Sequence, residues 1–502
     1  MVSNRSTRSE SSAIKGKKNK KTTPRSKSKK SNNKSSKPSN TSTSTSLFAF
    51  TSNCIDHEKL KKAVKEYKYI SPPKTLFERV YLNKFWDMLA EMYPNWLAPN
   101  TITLVGYICF GMPVIAAFVA GFTQGDGTCP NWWLLLAWIC HFIYQHADGS
   151  DGPQARRLKC GSALGELVDH GADAIVTGIF PFAMAEVVGL GMDSPYFLLM
   201  YIGGMMAFFT SNMTLLHKQK QEFQDIDAQE AQQAGQMVLF ILYCYNVYHG
   251  IEGRGLYQNF IIPFPSFVSS DQQIMIVNKL IEYHEYIGLP TTCSIISDVP
   301  CFENGSSNGT IGLNFVWLLV TASYFSIWLN AIKLISSLCM YYSQNELPKK
   351  TTKGNLVGRG FNNLFSQVIS CAIFCILSIN AWVLLNGGEV GKRDVKFFLP
   401  FFVTVTWSFG DFANHLLIVR VARINFPAFY RHRSWLWLIG LNVAMYIKNY
   451  NDGLYIQEAF YFACMITVLA YYSHYEFCST MGLALSNALG IQFFTVPKRN
   501  RN

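Results

Sequence analysis

Four aspartates lie close together between His146 and Asp173, and their spacing could support metal chemistry. Asp148 and Asp151 are three residues apart, whereas Asp169 and Asp173 are four apart. On a helix, either spacing places both side chains on one face. Two such helices facing each other would gather four carboxylates, which repel one another and are costly to desolvate. Divalent cations resolve that conflict, and an all-oxygen ligand set favours Mg²⁺ or Mn²⁺ over Zn²⁺.

The residues between the two acidic pairs are suited to a phosphate ligand. Gly152, Ala155 and Gly165 are small, so that two helices and a ligand can approach closely. Arg156 supplies a guanidinium on the same short segment, and this group recognises phosphate oxygens well. Paired carboxylates with a nearby arginine indicate metal-assisted phosphoryl transfer, in which two cations stabilise the attacking and leaving oxygens.

Other functions predict a different distribution of acids. A single intramembrane aspartate would more simply be a partner in an ion pair or a proton relay. A transporter, the main alternative from another class, would spread its acids over several spans near the midplane, often in repeated halves. Here they cluster within residues 148–173. A catalytically inactive relative would lack at least one aspartate, and all four are present.

The elements that must position this motif are apolar. The 502-residue chain is 49% hydrophobic and 15% aromatic but only 15% charged, well below the roughly 25% of ordinary globular proteins. This composition predicts an all-α, polytopic membrane protein with about ten transmembrane helices of about 20 residues each. We expect these spans near residues 100–121, 131–148, 167–189, 195–216, 235–251, 311–342, 362–386, 396–419, 434–449 and 455–477.

The distribution of basic residues predicts the orientation. Most Lys and Arg clusters between the predicted spans fall on the side of the two termini, which the positive-inside rule places in the cytosol. The opposite side carries the sequons at Asn304 and Asn308, together with Cys293 and Cys301, which could pair if their loop is luminal. Only the cluster at residues 392–396 opposes this assignment. The acidic motif then lies at the cytosolic end of the second and third spans.

The regions outside the spans differ in composition. Residues 1–46 hold thirteen Lys or Arg and one acid, and they account for the whole net charge of +12. We expect a disordered cytosolic tail near anionic lipid, which is favoured over a nucleic-acid-binding segment. Residues 47–95 predict amphipathic interfacial helices, broken at Pro72 and Pro73. Residues 96–490 form the predicted membrane domain, and residues 491–502 a cytosolic C-terminal tail.

The acidic motif resembles the signature of the CDP-alcohol phosphotransferase family. Its eight fixed residues match in type and spacing: Asp148, Asp151, Gly152, Ala155, Arg156, Gly165, Asp169 and Asp173. Three flanking segments are similar to the eukaryotic choline/ethanolaminephosphotransferase branch: Pro94–Thr103, Gln154–Arg157 and Leu164–Gly171. The resemblance extends over about residues 57–490.

This resemblance implies a set of roles for individual residues. It implies two Mg²⁺ or Mn²⁺ ions on the four aspartates, and a CDP-alcohol contacted by Asn100 and Arg156, with Gly152, Ala155 and Gly165 lining its site. The acceptor hydroxyl needs a base, and both His170 and Asp173 are candidates. A neutral imidazole is a better base than a carboxylate that binds two cations, which favours His170. The segment 226–230 resembles the one that carries an assisting glutamate, here Glu230.

The resemblance also implies an activity and its partners. The expected reaction transfers phosphocholine or phosphoethanolamine from CDP-choline or CDP-ethanolamine to diacylglycerol, forming phosphatidylcholine or phosphatidylethanolamine and releasing CMP. The alternative is the same chemistry on another CDP-alcohol or acceptor lipid. The expected location is the membrane of the endoplasmic reticulum or Golgi. A homodimer is compatible with the sequence, and no nucleic-acid partner is expected.

Overall fold

A computed structural model gives the fold of the chain. It describes residues 57–67, 74, 78–122, 129–188, 195–218, 228–253, 261–263, 267–286, 302–304, 311–344, 361–387, 395–424, 426, 432–450 and 454–496. Residues 48–502 belong to one compact unit. The predicted basic tail, residues 1–46, lies outside the described residues.

Most of the described residues are helical, which confirms the predicted all-α class. The α-helices are α1 His57–Lys65, α2 Asn83–Met92, α3 Pro99–Ala120, α4 Asn131–Arg157, α5 Ala163–Val188, α6 Pro195–Lys218, α7 Ala228–His249, α8 Ser270–Tyr286, α9 Phe315–Gln344, α10 Phe361–Asn386, α11 Phe398–Ala422, α12 Ser434–Asn449 and α13 Ile456–Leu489. A π-helical turn, Glu78–Leu82, leads into α2, and a 3₁₀ turn, Val395–Phe397, leads into α11.

Each of the ten predicted spans coincides with one of the long helices α3–α7 and α9–α13. Among the described residues, three segments are long and apolar enough to cross a membrane by length and composition, namely Pro99–Ala120, Pro195–Lys218 and Asn363–Asn386. The protein therefore has membrane-type apolar helices, and the larger number of spans stays a prediction.

A small antiparallel sheet differs from the sequence-based expectation. Its strands are β1 Ile261–Pro263, β2 Phe302–Asn304 and β3 Ile311–Asn314, in the order β1-β3-β2. The prediction of a helix from residue 311 was therefore wrong for four residues. Gly312 disfavours a helix interior, and Asn314 is a typical residue just before a helix. Of the predicted luminal residues, Cys293, Cys301 and Asn308 lie outside the described residues.

Close helix contacts at glycines hold α4 and α5 in place. A Cβ at Gly106 of α3 would lie 2.7 Å from the Ala147 Cβ of α4, so these helices cross nearly backbone to backbone. A Cβ at Gly178 of α5 would lie 2.7 Å from the Thr406 side chain of α11. The helices that carry the acidic motif are thus anchored at two contacts by glycines that tolerate no larger side chain.

Segments outside the predicted spans also pack onto the bundle. Leu60 and Val64 of α1 are buried against α11 and α13. Val496, from the predicted C-terminal tail, is buried with Ala98 and Leu158. The part of that tail that the structure describes, residues 491–496, therefore covers the ends of α3 and α4.

Candidate metal centre

Three of the four predicted carboxylates meet at one point between α4 and α5. Asp148, near the C-terminal end of α4, and Asp169 and Asp173, in the first half of α5, each place an oxygen within 4.8 Å of the others. Oδ1 of Asp148 is buried and has no hydrogen-bond partner among the described residues. Three converging carboxylates with a buried, unpartnered oxygen provide the oxygen donor set of a divalent cation, and they fit Mg²⁺ or Mn²⁺.

Asp151 stands apart from this group of three. Its carboxylate accepts a hydrogen bond from the hydroxyl of Thr103 on α3. It still lies close enough to interact electrostatically with Asp148 and Asp169. The fourth predicted ligand is therefore at the edge of the cluster, and a neighbouring helix holds its side chain.

A tyrosine on α4 reaches across to the last aspartate. The Tyr144 hydroxyl donates a hydrogen bond of 2.6 Å to Oδ1 of Asp173. Tyr144 lies one turn before Asp148, so its side chain projects from the same face of α4. Its ring is 1% exposed and packs 4.8 Å from the Phe110 ring of α3. Three helices therefore fix the position of this hydroxyl.

His170, the favoured base, lies beside the cluster rather than within it. Its imidazole interacts with the Asp173 carboxylate of the same helix and with the Asn212 side chain of α6. The Asp173 carboxylate on α5 and the Asn212 amide on α6 can together hold the imidazole ring in one orientation. His170 thus lies next to Asp173, and its role as the base stays a prediction.

Glu230, the predicted assistant of His170, is the third residue of α7. Its neighbour Gln229 accepts hydrogen bonds from Nε2 of Gln145, at 3.2 Å through the backbone carbonyl and 3.1 Å through the side chain. Gln145 precedes Asp148 by three residues on α4. The first turn of α7 therefore lies along the helix that carries Asp148.

Two consecutive arginines at the end of α4 have different surroundings. The Arg157 guanidinium donates to Gln154 and Asn95 at 3.0 Å each and to the Tyr93 carbonyl at 2.6 Å, so it anchors the loop before α3. Arg156 is exposed, and its Nη1 would lie 3.5 Å from a Cβ at Gly152. Of the two, Arg156 interacts electrostatically with the Asp151 carboxylate.

The turn between α4 and α5 uses the other small residues of the motif. The backbone N–H of Cys160 donates to the Ala155 carbonyl at 3.0 Å, and Lys159 adopts a left-handed φ of 52°. The Gly165 N–H donates to the Ser162 hydroxyl at 3.1 Å, which caps the start of α5. Ala155 therefore shapes the turn that brings α5 back beside α4.

Asn100, the predicted contact to the CDP-alcohol, sits in the first turn of α3. A Cβ at Gly165 would lie 3.5 Å from its Oδ1, so the residue does face the start of α5. Its Nδ2 donates to the Phe493 carbonyl at 2.9 Å. Asn100 thus borders the site while its amide group ties down the chain after α13.

Sequence reasoning missed Tyr144 and Thr103, although both lie in helices that it predicted. Thr103 is within the segment that resembles the eukaryotic branch, and Tyr144 shares a face with Asp148. The sequence offered only one indication for either residue, namely a hydroxyl side chain in an apolar helix close to the acidic motif. Hydroxyls are common in apolar helices, so that signal becomes specific only when the facing helix is known.

The comparisons with known proteins agree with this geometry. Residues 96–269 match the model of the family described as CDP-alcohol phosphatidyltransferase. The chain is 31% identical to cholinephosphotransferase 1 of Danio rerio over 192 residues, 38% of this chain and 48% of that protein. It is 33% identical to cholinephosphotransferase 1 of Gallus gallus over 183 residues, 36% of this chain and 53% of that protein.

A third relative extends this similarity to fungi. The chain is 35% identical to choline/ethanolaminephosphotransferase 1 of Saccharomyces cerevisiae over 130 residues, 26% of this chain and 33% of that protein. The matches to the first two relatives span about half of their length. Residues 96–269, which match the family model, include α4 and α5 with all four aspartates, so the converging carboxylates lie within the matched segment. Residues 96–269 are therefore the part of this chain that matches the CDP-alcohol phosphatidyltransferase family.

Proposed function

We propose that the protein transfers phosphocholine or phosphoethanolamine from the corresponding CDP-alcohol to diacylglycerol. The observation that carries this proposal is the convergence of Asp148, Asp169 and Asp173 within the family domain. The names of the relatives, cholinephosphotransferase and choline/ethanolaminephosphotransferase, support this class of donor. The released product is CMP, and the lipid products are phosphatidylcholine and phosphatidylethanolamine.

The proposed reaction exchanges one phosphoester bond for another. The diacylglycerol oxygen forms a bond to the phosphorus that carries the choline or ethanolamine. The bond from that phosphorus to the bridging oxygen breaks, and CMP leaves with this oxygen. Two Mg²⁺ or Mn²⁺ ions on the four aspartates would neutralise the charge of the phosphates. Arg156, at the exposed end of α4, would bind phosphate oxygens of the donor and orient them.

The proton of the acceptor hydroxyl is assigned to His170. Asp173 already accepts a hydrogen bond from Tyr144 and belongs to the carboxylate group, so its lone pairs are engaged. His170 lies next to it on the same helix and interacts with both Asp173 and Asn212. Glu230 on α7 would assist by stabilising the imidazolium that forms. Asn100 and Gly165 would border the nucleotide, and Gly152 and Ala155 would leave room for it.

The proposed setting is a membrane crossed by about ten helices, with both termini and the acidic motif on the cytosolic side. This topology is supported by the basic residues between the helices and by the sequons near β2. A water-soluble CDP-alcohol would then reach the aspartates from the cytosol, whereas diacylglycerol would enter from the bilayer. The endoplasmic reticulum and the Golgi are the proposed membranes.

Reconstitution of the full chain tests the proposal directly. Purified protein in phospholipid vesicles would receive diacylglycerol, Mg²⁺ and either labelled CDP-choline or labelled CDP-ethanolamine. We expect a labelled phospholipid and an equal amount of CMP with at least one donor. Asp169→Asn should abolish the product, because it removes a charge from the centre of the carboxylate group. Asp271→Asn, the same change at an exposed position on α8, is the matched control and should retain parental turnover.

Three outcomes would contradict the proposal. Parental vesicles that form product with neither donor would exclude this substrate class. Activity that persists in excess chelator would exclude the metal centre. Equal loss in Asp169→Asn and Asp271→Asn would show that the assay reports general damage rather than the site.

A further inference from the structure

The Tyr144 hydroxyl of α4 donates a hydrogen bond to a carboxylate oxygen of the three-carboxylate group, Oδ1 of Asp173. The 2.6 Å distance from its hydroxyl to Oδ1 of Asp173 is short for a bond between two oxygens, as expected when the acceptor is charged. Bonds of this kind from outside a metal centre commonly fix the orientation of a ligand. The Tyr144 hydroxyl is therefore placed to orient the Asp173 carboxylate.

Tyr144 is buried among apolar side chains, which offer its hydroxyl few alternative hydrogen-bond acceptors. The residue is 1% exposed, and its ring packs with Phe110 and Val176 in a small apolar cluster between α3 and α5. A phenol has one proton to donate. Removing the acceptor or the donor in such a place leaves a buried polar atom without a partner, which is unfavourable.

We propose that Tyr144 is a positioning residue that holds Asp173 as a metal ligand. The inference rests on the metal centre of the proposed function. With Oδ1 bound to the phenol, Asp173 keeps Oδ2 for a cation and is rotationally fixed. In this arrangement Asp173 coordinates the cation, and His170, three residues earlier on the same helix, takes the proton of the acceptor.

The consequence is measurable without any substrate. Loss of a hydrogen-bond partner that orients a metal ligand typically lowers metal affinity by about 10- to 100-fold. Tyr144→Phe removes only the hydroxyl and keeps the ring that packs on Phe110. We therefore expect this variant to bind Mn²⁺ about 10- to 100-fold more weakly than the parental protein. The measurement is a titration of the purified full chain with Mn²⁺, in which electron paramagnetic resonance reports the free ion.

Tyr107→Phe is the matched control. Tyr107 lies on α3 and packs against the same small cluster, but its hydroxyl faces Cys478 and Tyr471 instead of the carboxylates. It should bind Mn²⁺ with parental affinity. Equal weakening in both variants would overturn the proposal, because the effect would then come from packing in the cluster.

A second variant tests whether Tyr144 acts through Asp173. In an Asp173→Asn background the ligand is already lost, so adding Tyr144→Phe should change Mn²⁺ affinity no further. A further loss of about tenfold or more would assign the hydroxyl to another partner and overturn the proposal. Parental Mn²⁺ affinity in the single Tyr144→Phe variant would overturn it as well.

The test is separable from that of the proposed function. If Tyr144→Phe weakens Mn²⁺ binding while no CDP-alcohol is consumed, the positioning role stands and the substrate assignment falls. If the parental protein transfers the headgroup while Tyr144→Phe binds Mn²⁺ normally, the reverse holds.

Discussion

Gly149 lies between Asp148 and Ser150 in α4, and its lack of a side chain makes room for Trp86. A Cβ at this position would overlap three carbons of the Trp86 indole ring. Trp86 is 5% exposed and donates a hydrogen bond of 3.1 Å from Nε1 to Nδ1 of His146. The ring therefore cannot move aside without losing both its burial and this bond. We predict that Gly149→Ala destabilises the protein, although alanine is the better helix former.

The size of the effect follows from two opposing contributions. Overpacking in a closed core costs about 1–3 kcal/mol, and an overlap with a large buried ring belongs at the upper end. Replacing glycine by alanine inside a helix gains about 1 kcal/mol. The net loss is about 2 kcal/mol, which lowers the ratio of folded to unfolded protein by a factor of about 30.

The assay is a denaturation series in detergent with a second substitution that reverses the sign. In a Trp86→Ala background the overlap is gone, so Gly149→Ala should stabilise by up to about 1 kcal/mol. The two substitutions would then couple by about 3 kcal/mol, far above the few tenths expected for independent sites. A Gly149→Ala variant that is destabilised equally in both backgrounds would refute the reasoning, because contact with Trp86 would not be the cause.

Three further predictions concern catalysis and topology. His170→Ala should lower turnover about 10²- to 10⁴-fold at saturating Mg²⁺, with little change in the KM for CDP-alcohol. Asp173→Asn should lower turnover and also raise the Mg²⁺ requirement. If His170→Ala keeps near-parental turnover, the base is Asp173 instead. Thr103→Val should raise the Mg²⁺ concentration for half-maximal activity by about tenfold or more, because Asp151 loses its donor, and Thr103→Ser should not. In sealed microsomes Asn304 should carry a glycan, and added protease should remove the N-terminal tail without detergent. A tail that is protected until detergent is added would show that the orientation is the reverse of the predicted one.

The local part of the site could be predicted from the sequence. Helical periodicity placed Asp169 and Asp173 on one face, and the expected meeting of two acidic helices is seen for three of the four residues. Asp151 differs because a hydroxyl from α3 competes for its carboxylate. That competition depends on how closely α3 crosses α4 at Gly106, which spacing along one helix does not encode.

Elements without strong apolar periodicity were harder to predict. Helix α8 and the strands β1 and β2 lie between the predicted fifth and sixth spans, β3 lies at the start of the predicted sixth span, and none of them was expected. The sheet pairs Ile261 with Asn314, residues more than fifty positions apart, so its register follows from tertiary contacts. The helix α13 continues to Leu489, beyond the predicted end at 477, because Met481 and Leu485 of its last turns are buried in one apolar cluster with α1.

The contact between α5 and α11 has a consequence for how the chain can be divided. A Cβ at Gly171, next to His170, would lie 2.8 Å from Oδ1 of Asn414, and a Cβ at Gly410 would overlap Ile175. Helix α11 begins at Phe398, far beyond residue 269, where the family match ends. A fragment cut at that boundary would keep all four aspartates of the acidic motif but expose the glycine-lined face of α5 to solvent or lipid. The family match therefore contains the acidic motif, whereas the packing of α5 also depends on a helix beyond that match.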